Sequence, residues 1–378
     1  MQSVNRNLTF CREASNSVKN CDFCAFLPIN CAEIDLKYVD RELFSMLKYC
    51  IKTNVEECVS FMNDYMKAVT YNYPERIPVH VSLLPATWAK YGKDLQNLCL
   101  RHPDLFQNIK PTDEVKYFTP PSYHAGKFTD AWGCVWENVK EGYESIVTGH
   151  PLPNREDVWN LKAPETDIGL PHGFMYLRLL DLRGFEEMMI DFAEEPPELQ
   201  HLIDIVRDYN IRQTEIAVKN NPDNEIIVFG DDNGMQHSLA ISPDTWRKYM
   251  KPAYTAIYNV VHQAGKLVYM HTDGCIWQVI PDMKEAGVNV LNPQIRANGL
   301  KHLVDTCKGK ICIDLDLDRQ LFPFATPKEI EAHIEECVDA MYMPEGGLML
   351  VAECAADVPL DNIEAICSTL ERMQDFKK

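Results

Sequence analysis

Short apolar runs of strand length alternate with longer stretches of helical periodicity over most of this chain. The runs predicted as strands are Ile77–Leu84, Phe174–Leu180, Glu225–Phe229, Lys266–Met270, Val288–Leu291, Lys310–Ile313 and Gly346–Ala352. Helical segments separate the last five. Pro197-Glu198-Leu199 opens one that runs toward Lys219, Ser242-Pro243 caps another, and Trp277–Ala286 and Lys301–Thr306 form shorter ones. Thr326-Pro327-Lys328-Glu329 is a capping box with proline at its first helical position. Regular strand–helix alternation over roughly 300 residues predicts an α/β protein with a parallel sheet. The size suits a closed (β/α)8 TIM barrel better than an open doubly wound sheet. A dinucleotide-binding fold is a weaker reading still, since no G-x-G-x-x-G follows any strand.

The first 72 residues follow a different pattern and are predicted as an N-terminal extension to a barrel spanning 73–378. Cys11, Cys21, Cys24 and Cys31 lie in a polar, loop-like stretch, and only Cys21-x-x-Cys24 has close metal-ligand spacing. The outer two cysteines form no second CxxC, so an irregular segment with free thiols is favoured over a zinc knuckle. From about residue 36, Leu43, Leu47, Ile51, Val55, Val59, Phe61 and Met66 recur at helical spacing until Tyr73-Pro74-Glu75-Arg76 ends the pattern.

Charge narrows the partners. Against 56 Asp+Glu the chain sets 37 Lys+Arg, for a net charge of −19. Nucleic acid and anionic membrane surfaces both require a basic footprint, which argues against them and leaves small molecules or proteins. No stretch approaches the length of a membrane span, and Met1 to Phe10 carries no apolar signal region. A cytoplasmic protein is expected, in which the 14 cysteines are free thiols and metal ligands instead of a disulfide framework.

In a barrel the catalytic groups sit at the C-terminal ends of the strands. Those ends read Gly230-Asp231-Asp232, His271-Thr-Asp273, Asn292, Asp314-Leu-Asp316 and Glu353-Cys354. Each is an ordinary turn residue by itself, but together they converge on one mouth. His271, Asp273 and Cys354 offer imidazole, carboxylate and thiolate, and three such ligands with one open position make a catalytic zinc site. The alternative is a capped strand end beside an ordinary buried cysteine. Asp231 or Asp232 would complete the metal sphere or position a substrate oxygen, or else form a turn. Trp132, Trp136, Tyr176 and Trp277 are candidates for an aromatic wall, and Asn292 and Asp314 complete the substrate-facing set. His172 precedes a predicted strand, which places it at the bottom of the barrel, and His237 and His262 read as structural hydrogen-bonders.

Several of these motifs, in this order, resemble the uroporphyrinogen decarboxylase superfamily. They are Gly230-Asp-Asp-Asn-Gly-Met-Gln-His237, Ile241-Ser-Pro243, Lys251-Pro252, His262-x-x-Gly265, His271-x-Asp-Gly274, Ala286-Gly-Val-Asn-Val-Leu-Asn-Pro293, Thr326-Pro-Lys-Glu329 and Cys354 with Val358-Pro-Leu-Asp-Asn-Ile363. The strong part covers about residues 225–372, with fainter echoes at Arg76-Ile-Pro-Val79, Asp130-Ala-Trp-Gly133, His150-Pro-Leu152 and Arg183-Gly184. The resemblance implies a (β/α)8 barrel. Tetrapyrrole decarboxylases of that superfamily carry an arginine-rich segment after the first strand, whereas Val81-Ser-Leu-Leu-Pro-Ala-Thr-Trp88 contains no arginine. The other branch comprises zinc methyltransferases with a His-x-Cys and a distant Cys. This chain is similar to it at His271 and Cys354 and departs from it at Asp273, which would leave the Zn2+ a stronger Lewis acid. The resemblance therefore implies transfer of a methyl group from a small methylated compound, such as a methoxylated aromatic, to Co(I). That cobalt would form methylcobalamin on a separate corrinoid protein, since no cobalamin-binding Asp-x-His-x-x-Gly occurs here. A metal-free decarboxylase or lyase using Asp231 or Asp232 is the alternative.

Overall fold

The computed structural model describes residues 63–112 and 114–377. Cys11, Cys21, Cys24 and Cys31, and the helical pattern from Leu43 to Phe61, lie outside the described residues. From Asp64 onward the chain forms one compact unit.

Helix α1 (Asp64–Val69) leads to strand β1 (Val79–Leu83) and helix α2 (Pro85–Arg101). A three-stranded antiparallel sheet follows, made of β2 (Gly126–Thr129), β3 (Val135–Asn138) and β4 (Ile146–Gly149). Three helices come next: α3 (Tyr176–Arg183), α4 (Phe185–Glu194) and α5 (Pro197–Asn220). The remaining chain alternates as β5 (Ile226–Gly230), α6 (Pro243–Gln263), β6 (Leu267–Thr272), α7 (Ile280–Ala286) and β7 (Val290–Pro293). It continues with α8 (Ile295–Asn298), α9 (Leu300–Cys307), β8 (Cys312–Asp316), α10 (Pro327–Met341), β9 (Leu348–Cys354) and α11 (Leu360–Gln374).

The sheet is that of a TIM-barrel-like α/β fold: six parallel strands in the order β1-β9-β8-β7-β6-β5, curled around an interior. Six of the seven predicted strands fall within it, each a few residues from its predicted bounds. Local chemistry explains several helix starts. Ser242 accepts a hydrogen bond from the Thr245 N–H, and Thr326 and Glu329 cap each other's backbone as the sequence pattern requires.

Alternation along the strands sorts side chains into two sets. Val290, Cys312 and Met349 point into the barrel, pack with Ala68 and Val69 of α1, and are joined there by Ile226, Leu267 and Tyr269, so α1 plugs the base. Residues one step away, such as Val268, Met270, Leu291, Ile313 and Leu350, belong instead to the large cluster beneath the helices.

The strand predicted at Phe174–Leu180 is helix α3. Its buried residues are Tyr176, Arg178, Leu179, Leu182 and Arg183, of which Tyr176, Leu179 and Leu182–Arg183 recur at the spacing of three to four that suits a helix face. Its start is capped from afar: both oxygens of the fully buried Asp231 accept backbone N–H groups, Oδ2 from Tyr176 at 2.5 Å and Oδ1 from Leu177 at 2.9 Å. A carboxylate at a helix N-terminus also meets the positive end of the helix dipole.

Candidate active site at the barrel mouth

The same alternation carries polar groups to the C-terminal ends of β6, β7, β8 and β9. His271, two residues beyond Tyr269, faces inward, as do Asn292 on β7, Asp314 and Asp316 on β8, and Glu353 on β9. Asp232 follows β5 and reaches the same place through Oδ1, which accepts the backbone N–H of Asp273 at 2.9 Å.

His172, Asp232 and His271 offer ligand atoms that lie within 4.8 Å of one another. His172 Nε2 stands 3.2 Å from Asp232 Oδ1, and His271 Nε2 stands 3.9 Å from the same oxygen. Donor atoms about 2.0–2.1 Å from a tetrahedral metal are separated by roughly 3.3 Å, so the spacing fits one ion. Asp273 Oδ1 lies 3.3 Å from His271 Nε2 at the edge of this group. Asn292 fixes the ring of His271: its Oδ1 sits 2.6 Å from Nδ1, while its amide donates to the Asp314 carbonyl at 2.6 Å. An amide so oriented requires a proton on Nδ1 and leaves the Nε2 lone pair toward the cluster.

His172 corrects the placement at the bottom of the barrel. Because residues 174–180 are not a barrel strand, the segment before α3 runs across the mouth and is tied to β5 by a bond from Gly173 N–H to the Gly230 carbonyl. The imidazole passes so close to Gly230 that a Cβ there would lie 2.7 Å from its Cδ2, which is why that position has no side chain. Burial alone would lower the His172 pKa. The Asp232 hydrogen bond and charge, with those of Asp231 and Glu144, outweigh it and raise the value to about 9. Asp232 would likewise be raised by burial, but His172 and the Asp273 N–H hold it below its usual value.

Beside this group, Arg319 is clasped by three carboxylates. Its Nη2 donates to Asp273 Oδ1 at 3.0 Å and Asp316 Oδ2 at 2.5 Å, its Nε to Asp316 Oδ2 at 3.0 Å, and its Nη1 to Glu353 Oε1 at 2.6 Å. Glu144, from the turn before β4, interacts electrostatically with His172, Asp232, Asp273 and Glu353, and burial raises its pKa. Burial raises Asp316 to about 7 even against the pull of Arg319. Sequence reasoning misplaced His172 and passed over Glu144 and Arg319. For Arg319 a signal existed, since it lies three residues beyond a strand-end aspartate.

Other expected site residues lie elsewhere. Cys354 points away from the mouth: its strand neighbour Glu353 faces Arg319, and the thiol is buried in the helix-side core near Cys99 and Cys367. A ligand role beside His271 does not survive that orientation, because adjacent strand residues point to opposite faces. Asp231 is committed to α3 and to the hydroxyl of Tyr254 at 2.7 Å. Asp314 accepts from the Tyr269 hydroxyl at 2.8 Å, one layer below the mouth. Trp132 packs edge-on against Tyr209, Tyr176 stacks with Phe192, Trp277 with His302, and Trp136 with Phe128. The described residues thus show Trp132, Tyr176 and Trp277 in packing contacts and not as a wall around the cluster. His262 donates from Nε2 to the Gly287 carbonyl, 2.8 Å away, a structural tie.

The family model described as uroporphyrinogen decarboxylase (URO-D) matches residues 179–373, more than half of the chain. Among solved structures, a methyltransferase from Methanosarcina mazei aligns with a TM-score of 0.57 at 15% identity, covering 82% of this chain and 97% of that one. A dihydropteroate synthase from Xanthomonas albilineans aligns with a TM-score of 0.31 at 13% identity, over 44% of this chain and 61% of the other. The 3-keto-D-glucoside 4-epimerase YcjR from E. coli gives 0.30 at 13% identity, over 60% and 95%. No curated protein matches the sequence. Among the described residues, no helix is long and apolar enough to cross a membrane.

Proposed function

This chain belongs to the uroporphyrinogen decarboxylase family, and from that premise we propose that it is a zinc-dependent methyltransferase. It takes a methyl group from a small methyl ether, such as a methoxylated aromatic, and passes it to the Co(I) of a separate corrinoid protein. The observation that carries this reading is the triad of His172, Asp232 and His271 at the mouth. Two imidazoles and one carboxylate with a further position open are a donor set of catalytic zinc. Zinc held by these three residues would supply a Lewis acid that polarises the ether oxygen and makes it a better leaving group. The Methanosarcina mazei methyltransferase, whose fold this chain shares, supports methyl transfer as the reaction.

The residues of the chain have separable tasks. Asn292 keeps the His271 ring in one tautomer and one orientation. The Asp273 N–H and His172 fix the Asp232 carboxylate. Arg319 draws Asp273, Asp316 and Glu353 together and prevents mutual repulsion from opening the mouth. A porphyrinogen with its many carboxylates would meet an acidic rim whose Arg319 is already engaged by three carboxylates.

Two measurements test the proposal on the full-length protein. Elemental analysis should find near-stoichiometric zinc in the wild type and loss of it in His172→Ala and His271→Ala. Mixed with a reduced corrinoid protein and a panel of methyl ethers, the protein should convert the corrinoid absorption spectrum to that of the methylated form. Retention of full zinc in both variants, or methyl transfer that proceeds without any corrinoid, would overturn the assignment.

A further inference from the structure

We infer that the methyl ether taken at this mouth carries a positively charged amine, which docks against Asp316 and Glu353. The inference rests on the demethylase reading above and names its substrate class.

The charges at the rim do not balance. Asp273, Asp316 and Glu353 surround one guanidinium, and that guanidinium spends its Nε, Nη1 and Nη2 donors on them. Arg319 is therefore engaged and leaves no bidentate edge for an incoming carboxylate or phosphate. His172 is bound to Asp232 and would be a neutral ligand to zinc, so Arg319 and a bound zinc would face the five carboxyls of Asp232, Asp273, Asp316, Glu353 and Glu144. Among them Glu144 adds a carboxyl within electrostatic reach of Asp232, Asp273 and Glu353. An anionic substrate would meet repulsion, and a cation would meet uncompensated negative charge in a partly desolvated recess, where the interaction is stronger than in water.

A second observation points to a donor-bearing ligand. Asp316 is 3% exposed, and its Oδ1 accepts no hydrogen bond although Oδ2 accepts two from Arg319. Alternation along β8 puts its side chain on the barrel-facing side with Asp314. A buried carboxylate oxygen without a donor is an exception in folded proteins and calls for a cause. An ammonium N–H supplies both the missing donor and the missing positive charge. A hydroxyl would supply only the first, and a carboxylate neither.

Three compounds sharing one methoxyphenol ring isolate the charge: 3-methoxytyramine (cation), 4-ethyl-2-methoxyphenol (neutral) and homovanillate (anion). Calorimetric titration of the full-length protein reads binding without requiring methyl transfer. The expected order is cation tightest by about tenfold or more over the neutral ring, with the anion weakest. Asp316→Asn and Glu353→Gln should each narrow the gap in affinity between the cationic and the neutral compound. Two variants are used because loss of one carboxylate from the Arg319 clasp could perturb folding. Failure of 3-methoxytyramine to bind, equal or tighter binding of the neutral or anionic compound, or a charge preference undiminished in both variants overturns the inference. Intact charge preference with no methyl transfer to a corrinoid protein would instead sink the demethylase reading alone.

Discussion

Replacing Asn292 by alanine tests whether the histidine at the centre of the mouth is held for metal binding. The amide contributes an acceptor 2.6 Å from His271 Nδ1 and a donor 2.6 Å from the Asp314 carbonyl, so one side chain ties β6 to β8 through the ligand-bearing ring. Without it the imidazole is free to change tautomer and to rotate about its side-chain bonds, and Nε2 is no longer preset. Partners of this kind are worth 10–100-fold in metal affinity, or about 1.4–2.8 kcal/mol. Asn292 is also buried, so truncation carries a folding cost of about 1–3 kcal/mol for the orphaned groups, which must be measured separately. The assay is zinc competition against a chromogenic chelator, paired with urea melts of the metal-free protein. Asn292→Ala should show the loss of affinity, whereas Asn292→Asp, which keeps an acceptor for Nδ1, should retain most of it. A correctly folded Asn292→Ala protein with wild-type zinc affinity would refute the claim that this hydrogen bond sets the ring.

Two further outcomes follow from burial and orientation. Asp314 titrates at about 6 in the folded protein instead of its usual 3.8, because burial disfavours the carboxylate more than the Tyr269 hydroxyl favours it. A raised folded value means stability that is complete below the unfolded pKa and is lost as the pH climbs through about 6; two units correspond to ~3 kcal/mol. Asp314→Asn, which cannot ionise and keeps an acceptor for Tyr269, should therefore gain on the wild type by up to that amount between pH 4 and pH 7.5 in urea unfolding. Parallel stability curves for the two proteins would rule out the burial argument. Cys354→Ala should keep its full zinc content and lose only about 1 kcal/mol of packing, since the thiol lies in the helix-side core; zinc loss on this substitution would return the thiol to the site.

The α/β repeat was legible because its signals are local. From β5 onward each strand is an apolar run of strand length, and helices α6 and α10 begin at caps whose residues lie within three positions of each other. The segment from Phe174 to Leu180 was misread because its cap is not local. Asp231, which holds the first turn of α3, comes 55 residues later than Tyr176, and until that contact is known an apolar run of seven residues suits strand or helix equally. The misreading then displaced His172, since a residue before a barrel strand belongs at the bottom and a residue before α3 belongs at the mouth.

Within the site, the sequence located the rim but not which residue of each strand-end pair faces it. In a half-exposed strand the apolar positions mark one face, and parity can be read directly. Strands of a parallel barrel are covered on both sides, so β9 from Leu348 to Ala352 is apolar or nearly so throughout and carries no mark of parity. Only the packing of Met349 against α1 at the base establishes that odd-numbered residues of β9 point inward, which brings Glu353 to Arg319 and turns Cys354 toward the helices. Asp231 and Asp232 divide in the same way. One is wholly buried and spends its oxygens on α3 and Tyr254, and the other reaches the mouth beside His172 and His271. Two chemically identical neighbours thus acquire a structural and a ligand-bearing role from the pleat alone, and a motif that names both cannot tell them apart.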